Sequence, residues 1–271
     1  MEIKSVLTIA GSDSIGGAGI QADIKTIFSL NAYAASCITA ITAQNTMGVK
    51  NIQPVLPNIL EDQIECVLTD LYIDAIKIGM IYNKENAEII YKTLKKHKYD
   101  GFLVIDPVLV ATSGNNLFKN NILETMKTYL FPIATIITPN IPEAEAICNK
   151  KIESKADMIA AAKEIINKYN AKNVLIKGGH NVSEDMTDIL VLSNKNYYEY
   201  SAPKIDSKNT HGTGCTLSSA IATYLAKGYH LQESVKKAKE YVYQAILASK
   251  DLVLGNGHGS TNHAWMNIKK E

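Results

Sequence analysis

The sequence predicts an α/β fold in which a mostly parallel central sheet carries helices on both faces. Three observations support this. Apolar runs of strand length alternate with segments of helical period along the chain. Those runs are continuously apolar, as strands buried on both faces require. No Pro/Ser-rich linker, low-complexity tract or internal repeat breaks the order, so residues 1–271 read as a single domain.

Residues 6–10 form the first expected strand. A glycine-rich loop follows, then a helix with Ile20, Ile24, Ile27 and Phe28 on one face. Residues 37–42 and 49–55 read as the second and third strands. A helix over 58–71 precedes a strand at 75–78, and a helix over 84–97 precedes a strand at 102–105. Strands at 135–138 and 174–176 flank a helix striped by Met158, Ile159, Ala162, Ile165, Ile166 and Tyr169. Residues 188–192 and 197–200 form an antiparallel pair around Ser193-Asn194-Lys195-Asn196. Two helices follow, one striped by Leu217, Ala220, Ile221, Tyr224 and Leu225, the other by Leu231, Val235, Ala238, Val242 and Ile246. In such sheets ligands sit at the carboxyl ends of the strands, so polar residues just after a strand become candidates for chemistry.

Composition excludes several functions. With 46% hydrophobic and 20% charged residues the chain can bury a sizeable core. It holds no apolar run long enough to cross a membrane, and its start lacks a secretory pattern, so a cytoplasmic protein is expected. Cys37, Cys66, Cys148 and Cys215 lie far apart, which disfavours zinc and disulfides. A net charge of +1 makes no case for nucleic acid. All 28 basic residues are lysine. Without a guanidinium, phosphate must be handled by lysine, a metal ion or backbone amides at helix N-termini.

Two glycine-rich turns stand out. The first, Gly11 to Gly19, nearly fits a Walker A loop, but Gly17 stands where the lysine should be. It also fits a loose dinucleotide pattern, yet no acid occurs between residues 24 and 60 to hold a ribose. What remains is a packing turn, or a loop bringing backbone close to a small substrate with Asp23 one helical turn further in. The second turn, Asn209-Thr210-His211-Gly212-Thr213-Gly214-Cys215-Thr216, runs straight into a helix. Glycines there leave amides free for an anion. Cys215 sits in the first turn, where the same field favours thiolate; it reads equally as a small buried cysteine.

These turns belong to a series: Thr8 to Asp13, Gly16 to Asp23, Thr39-Ala40-Ile41-Thr42-Ala43-Gln44-Asn45-Thr46, Lys77-Ile78-Gly79-Met80, Asp106-Pro107-Val108, Thr138 to Glu145, Lys177-Gly178-Gly179-His180 and Asn209 to Thr216. In that order, across nearly the whole chain, they resemble the hydroxymethylpyrimidine/phosphomethylpyrimidine kinases of thiamin biosynthesis, a branch of the ribokinase-like superfamily. The resemblance implies a three-layer ribokinase-like fold, ATP and Mg²⁺, and a homodimer. It implies phosphorylation of 4-amino-5-hydroxymethyl-2-methylpyrimidine and then of its monophosphate.

It also implies roles. Cys215 would be the general base and Gly212 and Gly214 the anion hole. Gln44, Asp23, Gly11, Ala18, Met80 and Val108 would surround the pyrimidine, Gln44 reading its amino edge. Lys177, Thr210 and Thr213 would bind ATP, and Asp106, Glu143 and Asn140 the metal. On the residues alone, Glu143 reads equally as a helix cap, and Lys177 has an exposed loop lysine as its alternative. Thr112 before Ser113-Gly114, where many relatives have lysine, touches only a lid contact. Ser260 stands where a proline is usual, in a tail that borders the adenine site or lies on the surface. The rivals are a pyridoxal/pyridoxine kinase using the same site and a non-catalytic pyrimidine sensor.

Overall fold

Val6, Leu7, Ile9 and Ala10 are fully buried on both faces of one strand, which makes that strand central. The structure, a computed structural model, describes residues 3–109, 122–178 and 185–267. Its strands are β1 Ser5–Asp13, β2 Tyr33–Asn45, β3 Gly48–Pro54, β4 Ala75–Ile78, β5 Phe102–Ile105, β6 Ile136–Ile137, β7 Val174–Ile176, β8 Asp185–Val191 and β9 Tyr197–Pro203. The helices are α1 Gly19–Ser29, α2 Pro57–Asp70, α3 Lys84–Lys96, α4 Ile122–Thr125, α5 Ile141–Cys148, α6 Lys155–Tyr169, α7 Thr213–Ala226 and α8 Leu231–Leu247. One nine-stranded sheet runs β3-β2-β1-β4-β5-β6-β7-β8-β9. The strands from β2 to β7 pair in parallel, while β3 at one edge and β8 and β9 at the other are antiparallel. That strands from residue 5 to residue 203 share this sheet supports reading the chain as one domain.

The period-two alternation of strand side chains splits the core in two. Leu7, Ile76, Leu103, Ile137 and Ile176 point to one face, packed with Ile64 of α2, Ile90 of α3, Ala144 of α5 and Ile165 of α6. Val6, Ala75, Val104, Ile136 and Leu175 point to the other, packed with Ile27 of α1, Ile221 of α7 and Val235 of α8. Three layers result.

Several elements differ from expectation. Phe28 is 71% exposed. The buried face of α1 runs instead through Ile20, Asp23, Thr26 and Ile27, so polar side chains occupy positions that hydropathy assigns to an apolar one. β1 continues through Gly11-Ser12-Asp13, with its pairing to β2 irregular between Ala10 and Ser12. α4, a π-helical turn Met126–Leu130 and a 3₁₀ turn Phe131–Ile133 fill a region with no expected element. They are too short to show a period. α5 was also unassigned, although Asn140 and Glu143 form a capping box around Pro142, a signal legible in the sequence. Thr112, Ser113, Gly114, Gly179 and His180 lie outside the described residues. No helix among the described residues is long and apolar enough to cross a membrane.

After α8 the chain returns across the carboxyl edge of the sheet. The Gly257 and His258 amides donate to Thr46 at the end of β2, and the His211 amide donates to Gly259. His263 anchors this strap: it is 4% exposed and its Nε2 pairs with Thr216 Oγ1 at 3.0 Å. Burial, aided by the charges of Lys25 and His211, holds its imidazole down at about 4. The unfolded chain, with an ordinary histidine, binds the extra proton first as pH falls. Stability therefore drops from about pH 6.5 to about pH 4, by roughly 3 kcal/mol for this group alone. His263→Gln keeps a donor for Thr216, whose own hydroxyl proton goes to the Gly212 carbonyl oxygen at 2.8 Å, and removes the titration. Its melting temperature should fall less than that of the wild type between neutral pH and about pH 4.5; parallel curves would remove His263 from the acid response.

Candidate active site

The two glycine-rich turns meet backbone to backbone. Gly19 opens α1 with φ +56°, and a Cβ on it would lie 2.2 Å from the Gly11 carbonyl oxygen. Gly212, the N-cap of α7, has φ +84°, and its Cβ would lie 1.8 Å from the Gly17 carbonyl oxygen. No residue with a side chain can close these contacts. The first turn is wound around Asp13, whose carboxylate accepts from the amides of Ile15 (3.1 Å), Gly17 (3.0 Å) and Ala18 (2.8 Å). His211 of the second turn adds its Nε2 to the same carboxylate at 2.9 Å.

Where the turns join, the carboxyl edge of the sheet opens into a cavity of about 660 Å³. It is lined by Gly11, Ala18, Gln44, Met80 and Val108, by Asp106, Asn140, Glu143 and Lys177, and by Thr210, Gly212, Thr213, Gly214 and Cys215. Met80 packs against Ala40 and Val108, and stands close enough to Gly11 that a Cβ there would meet its sulfur at 3.0 Å. The amides of Gly214 and Cys215 belong to the first turn of α7, where N–H groups lack a helical partner. Gly214 leaves the space between that turn and two charged groups open: a Cβ would lie 3.3 Å from Lys177 Nζ and 3.4 Å from Asp106 Oδ2.

Those charges form a buried cluster. Lys177 Nζ is 2.6 Å from Asp106 Oδ1 and 3.9 Å from Glu143 Oε2. Burial works against the ammonium, but the Asp106 and Glu143 charges hold its pKa above the ordinary range. Burial pushes the Glu143 carboxyl up to about 7, with Lys177 opposing and Asp106 adding to the rise. Two buried carboxylates so close together suit a hard divalent cation that keeps water or phosphate ligands. Asn140 lines the same cavity, its Oδ1 accepting from the Glu143 amide at 2.8 Å while Glu143 Oε2 accepts from the Asn140 amide at 2.8 Å, the capping box of α5. Among the described residues no group of three or more His, Cys, Asp or Glu is placed to hold a metal.

Asp23 is a correction. It is fully buried and does not line the cavity; it grips Lys77 Nζ at 2.8 and 2.9 Å and accepts from Thr8 and Ser219. A helix and a strand both place a carboxylate near the turn, and only packing shows which way it faces. At Cys215 burial acts against the helix field. Burial pushes its thiol up to about 11, against the lowering by Lys77, while Asp23 and Asp106 raise it further. Asp13 and His211 were passed over, although both stand in the motifs. Asp188 and Lys239, paired at 2.7 Å in the cavity wall, carried no sequence signal.

The fold and this edge-of-sheet cavity are those of a ribokinase-like small-molecule kinase. A solved pyridoxal kinase from Bacillus subtilis superposes with a TM-score of 0.89 at 33% identity, covering 99% of this chain and all of that one. A solved phosphomethylpyrimidine kinase from Clostridium difficile is nearer in sequence: 46% identity and a TM-score of 0.79 over 90% of this chain and 99% of that one. The phosphomethylpyrimidine kinase family model matches residues 13–262, and the chain belongs to that family. The hydroxymethylpyrimidine/phosphomethylpyrimidine kinase of Haemophilus influenzae is 44% identical over 96% of this chain and 97% of its own length. The chain spans about half (52%) of a Geobacter sulfurreducens thiamine biosynthesis bifunctional protein that is 46% identical to it.

If Asp23 is a structural counter-ion, Asp23→Ala strands Lys77 and should destabilise the fold by roughly 3–5 kcal/mol. Denaturant unfolding measures this. Near-wild-type stability with a raised KM for the acceptor would return Asp23 to the substrate site.

Proposed function

We propose that the protein transfers the γ-phosphoryl group of ATP to 4-amino-5-hydroxymethyl-2-methylpyrimidine, and then a second one to the monophosphate, in thiamine biosynthesis. The observation that carries this is one cavity lined by both Gln44 and the open first turn of α7, with Lys177 and Asp106 beside it. A glutamine carboxamide pairs with an amine and ring nitrogen side by side. The amides of Gly212, Gly214 and Cys215 and the helix dipole stabilise charge on the phosphoryl group in flight.

In this reading Lys177 lies on the nucleotide phosphates, and Thr210 and Thr213 flank them. Asp106 and Glu143 would hold Mg²⁺, which supplies charge neutralisation on those phosphates when bound. The hydroxymethyl oxygen forms its bond to the γ-phosphorus as the bridging O–P bond breaks, and ADP leaves with the charge. Cys215 takes the hydroxyl proton. Because burial keeps its thiol protonated well above neutrality, the thiolate is scarce at pH 7 and kcat/KM should climb with pH.

A pyridoxal or pyridoxine kinase is the second reading, favoured by the fold likeness to the Bacillus subtilis enzyme. Mass spectrometry of the products from both alcohols separates the two: aminopyrimidine mono- and pyrophosphate are expected, and phosphorylation of pyridoxine alone would overturn the proposal. Two further outcomes are expected. Cys215→Ala should lower kcat by about 10²–10⁴ with acceptor binding within a few-fold. The wild-type rise in log kcat/KM between about pH 7 and about pH 9 should approach one per pH unit and vanish in Cys215→Ala. An unchanged pH profile in the variant would show that the thiol accepts no proton.

A further inference from the structure

The Gln44 carboxamide stands between two groups whose hydrogen-bonding roles are already set by their other partners. On one side, His211 Nε2 is 3.1 Å from the amide atom labelled Nε2 of Gln44 and 2.9 Å from Asp13 Oδ2. Asp13 already accepts three backbone N–H groups. Burial raises its pKa, but the His211 contact and then the Ala18 amide outweigh this and hold the carboxyl below its usual range. A ring nitrogen 2.9 Å from such a carboxylate carries its proton, because two lone pairs face to face repel. On the other side, Thr42 Oγ1 is 3.4 Å from the amide atom labelled Oε1. Its single proton goes to the Ser12 carbonyl oxygen at 2.9 Å, so toward Gln44 it accepts.

A carboxamide turned over about its last bond fills the same space with oxygen and nitrogen exchanged. With Nε2 toward His211, donor meets donor there and acceptor meets acceptor at Thr42. With Oε1 toward His211 and Nε2 toward Thr42, the one Nε2 proton of His211, directed at Asp13, is shared with Oε1, and Thr42 Oγ1 accepts from the amide, so neither contact is repulsive. We propose that His211, held by Asp13, is a positioning residue that locks the Gln44 carboxamide in this second orientation and so decides which substrate edge the cavity reads. The proposal rests on the reading of Gln44 as the aminopyrimidine contact.

The locked amide has one Oε1 lone pair and one Nε2 proton left for a ligand. A 4-aminopyrimidine answers them with an amine proton beside a ring nitrogen. The corresponding 4-oxopyrimidine offers the inverse, a carbonyl oxygen beside a ring N–H. Its ring cannot simply turn over, because the hydroxymethyl group must still face α7. A freely turning glutamine would serve both compounds; a locked one serves the amine.

The test compares kcat/KM for 4-amino- and 4-oxo-5-hydroxymethyl-2-methylpyrimidine in wild type, His211→Leu, His211→Gln and Thr42→Val. The wild type should prefer the amine by about 10²-fold or more. His211→Leu should cut that preference at least tenfold, and His211→Gln, whose amide nitrogen reaches the Nε2 position, should restore most of it. Thr42→Val loosens the other end of the amide and should narrow the same ratio, deciding the matter if the leucine variant does not fold. Equal losses on both compounds would make His211 merely structural and overturn the proposal. A wild type that phosphorylates the amine but does not discriminate would overturn it while the proposed function stands. No turnover of the amine would end both readings.

Discussion

Two charges without access to water lie between β1, α1, β4 and α7, and the site is built against them. Lys77 and Asp23 are both fully buried, and the carboxylate also takes hydroxyl protons from Thr8 and Ser219. Each charge alone would be costly to bury; together, with their hydrogen bonds complete, they hold four elements in one register. Burial lowers the Lys77 pKa, but Asp23 and then the more distant Cys215 and Asp106 outweigh it and keep the ammonium charged. The same ammonium is the chief influence drawing the Cys215 thiol down. The pair thus joins the packing of the core to the electrostatics of the cavity floor.

The second constraint is steric. Gly19 on Gly11 and Gly212 on Gly17 are contacts between backbones, so the N-termini of α1 and α7 converge with no side chain between them. Asp13 converts that closeness into a hydrogen-bonded unit, gathering three amides of its own turn and the imidazole of the other. The strap through Gly257, His258 and Gly259 pins the same region to Thr46. The cavity residues near β1 and β2 therefore sit on a braced edge, while the amides of Gly214 and Cys215 belong to the start of α7.

Much of this was legible in the residues. The three layers follow from apolar strands alternating with amphipathic helices; α2 and α3 match their expected ranges, and α6, α7 and α8 fall where their stripes place them. The cavity gathers every expected site residue except Asp23, because residues after parallel strands share one edge. What failed were the cases in which two uses of one residue type compete. Asp23 looks the same as a ligand and as a counter-ion, and Phe28 the same on either side of a helix.

The sequence by itself determined the fold class, the family, and the restriction of phosphate chemistry to lysine, metal and backbone amides, since no arginine is present. These depend on pattern and residue type, which local reading preserves. Only the tertiary structure decided that the two glycine turns touch, that His211 stands between Asp13 and Gln44, and that burial keeps Cys215 a thiol. Residues almost two hundred positions apart (|i−j| = 198 for Asp13 and His211) have no local signature of contact. Desolvation, too, is a property of the packed surroundings and not of the residue.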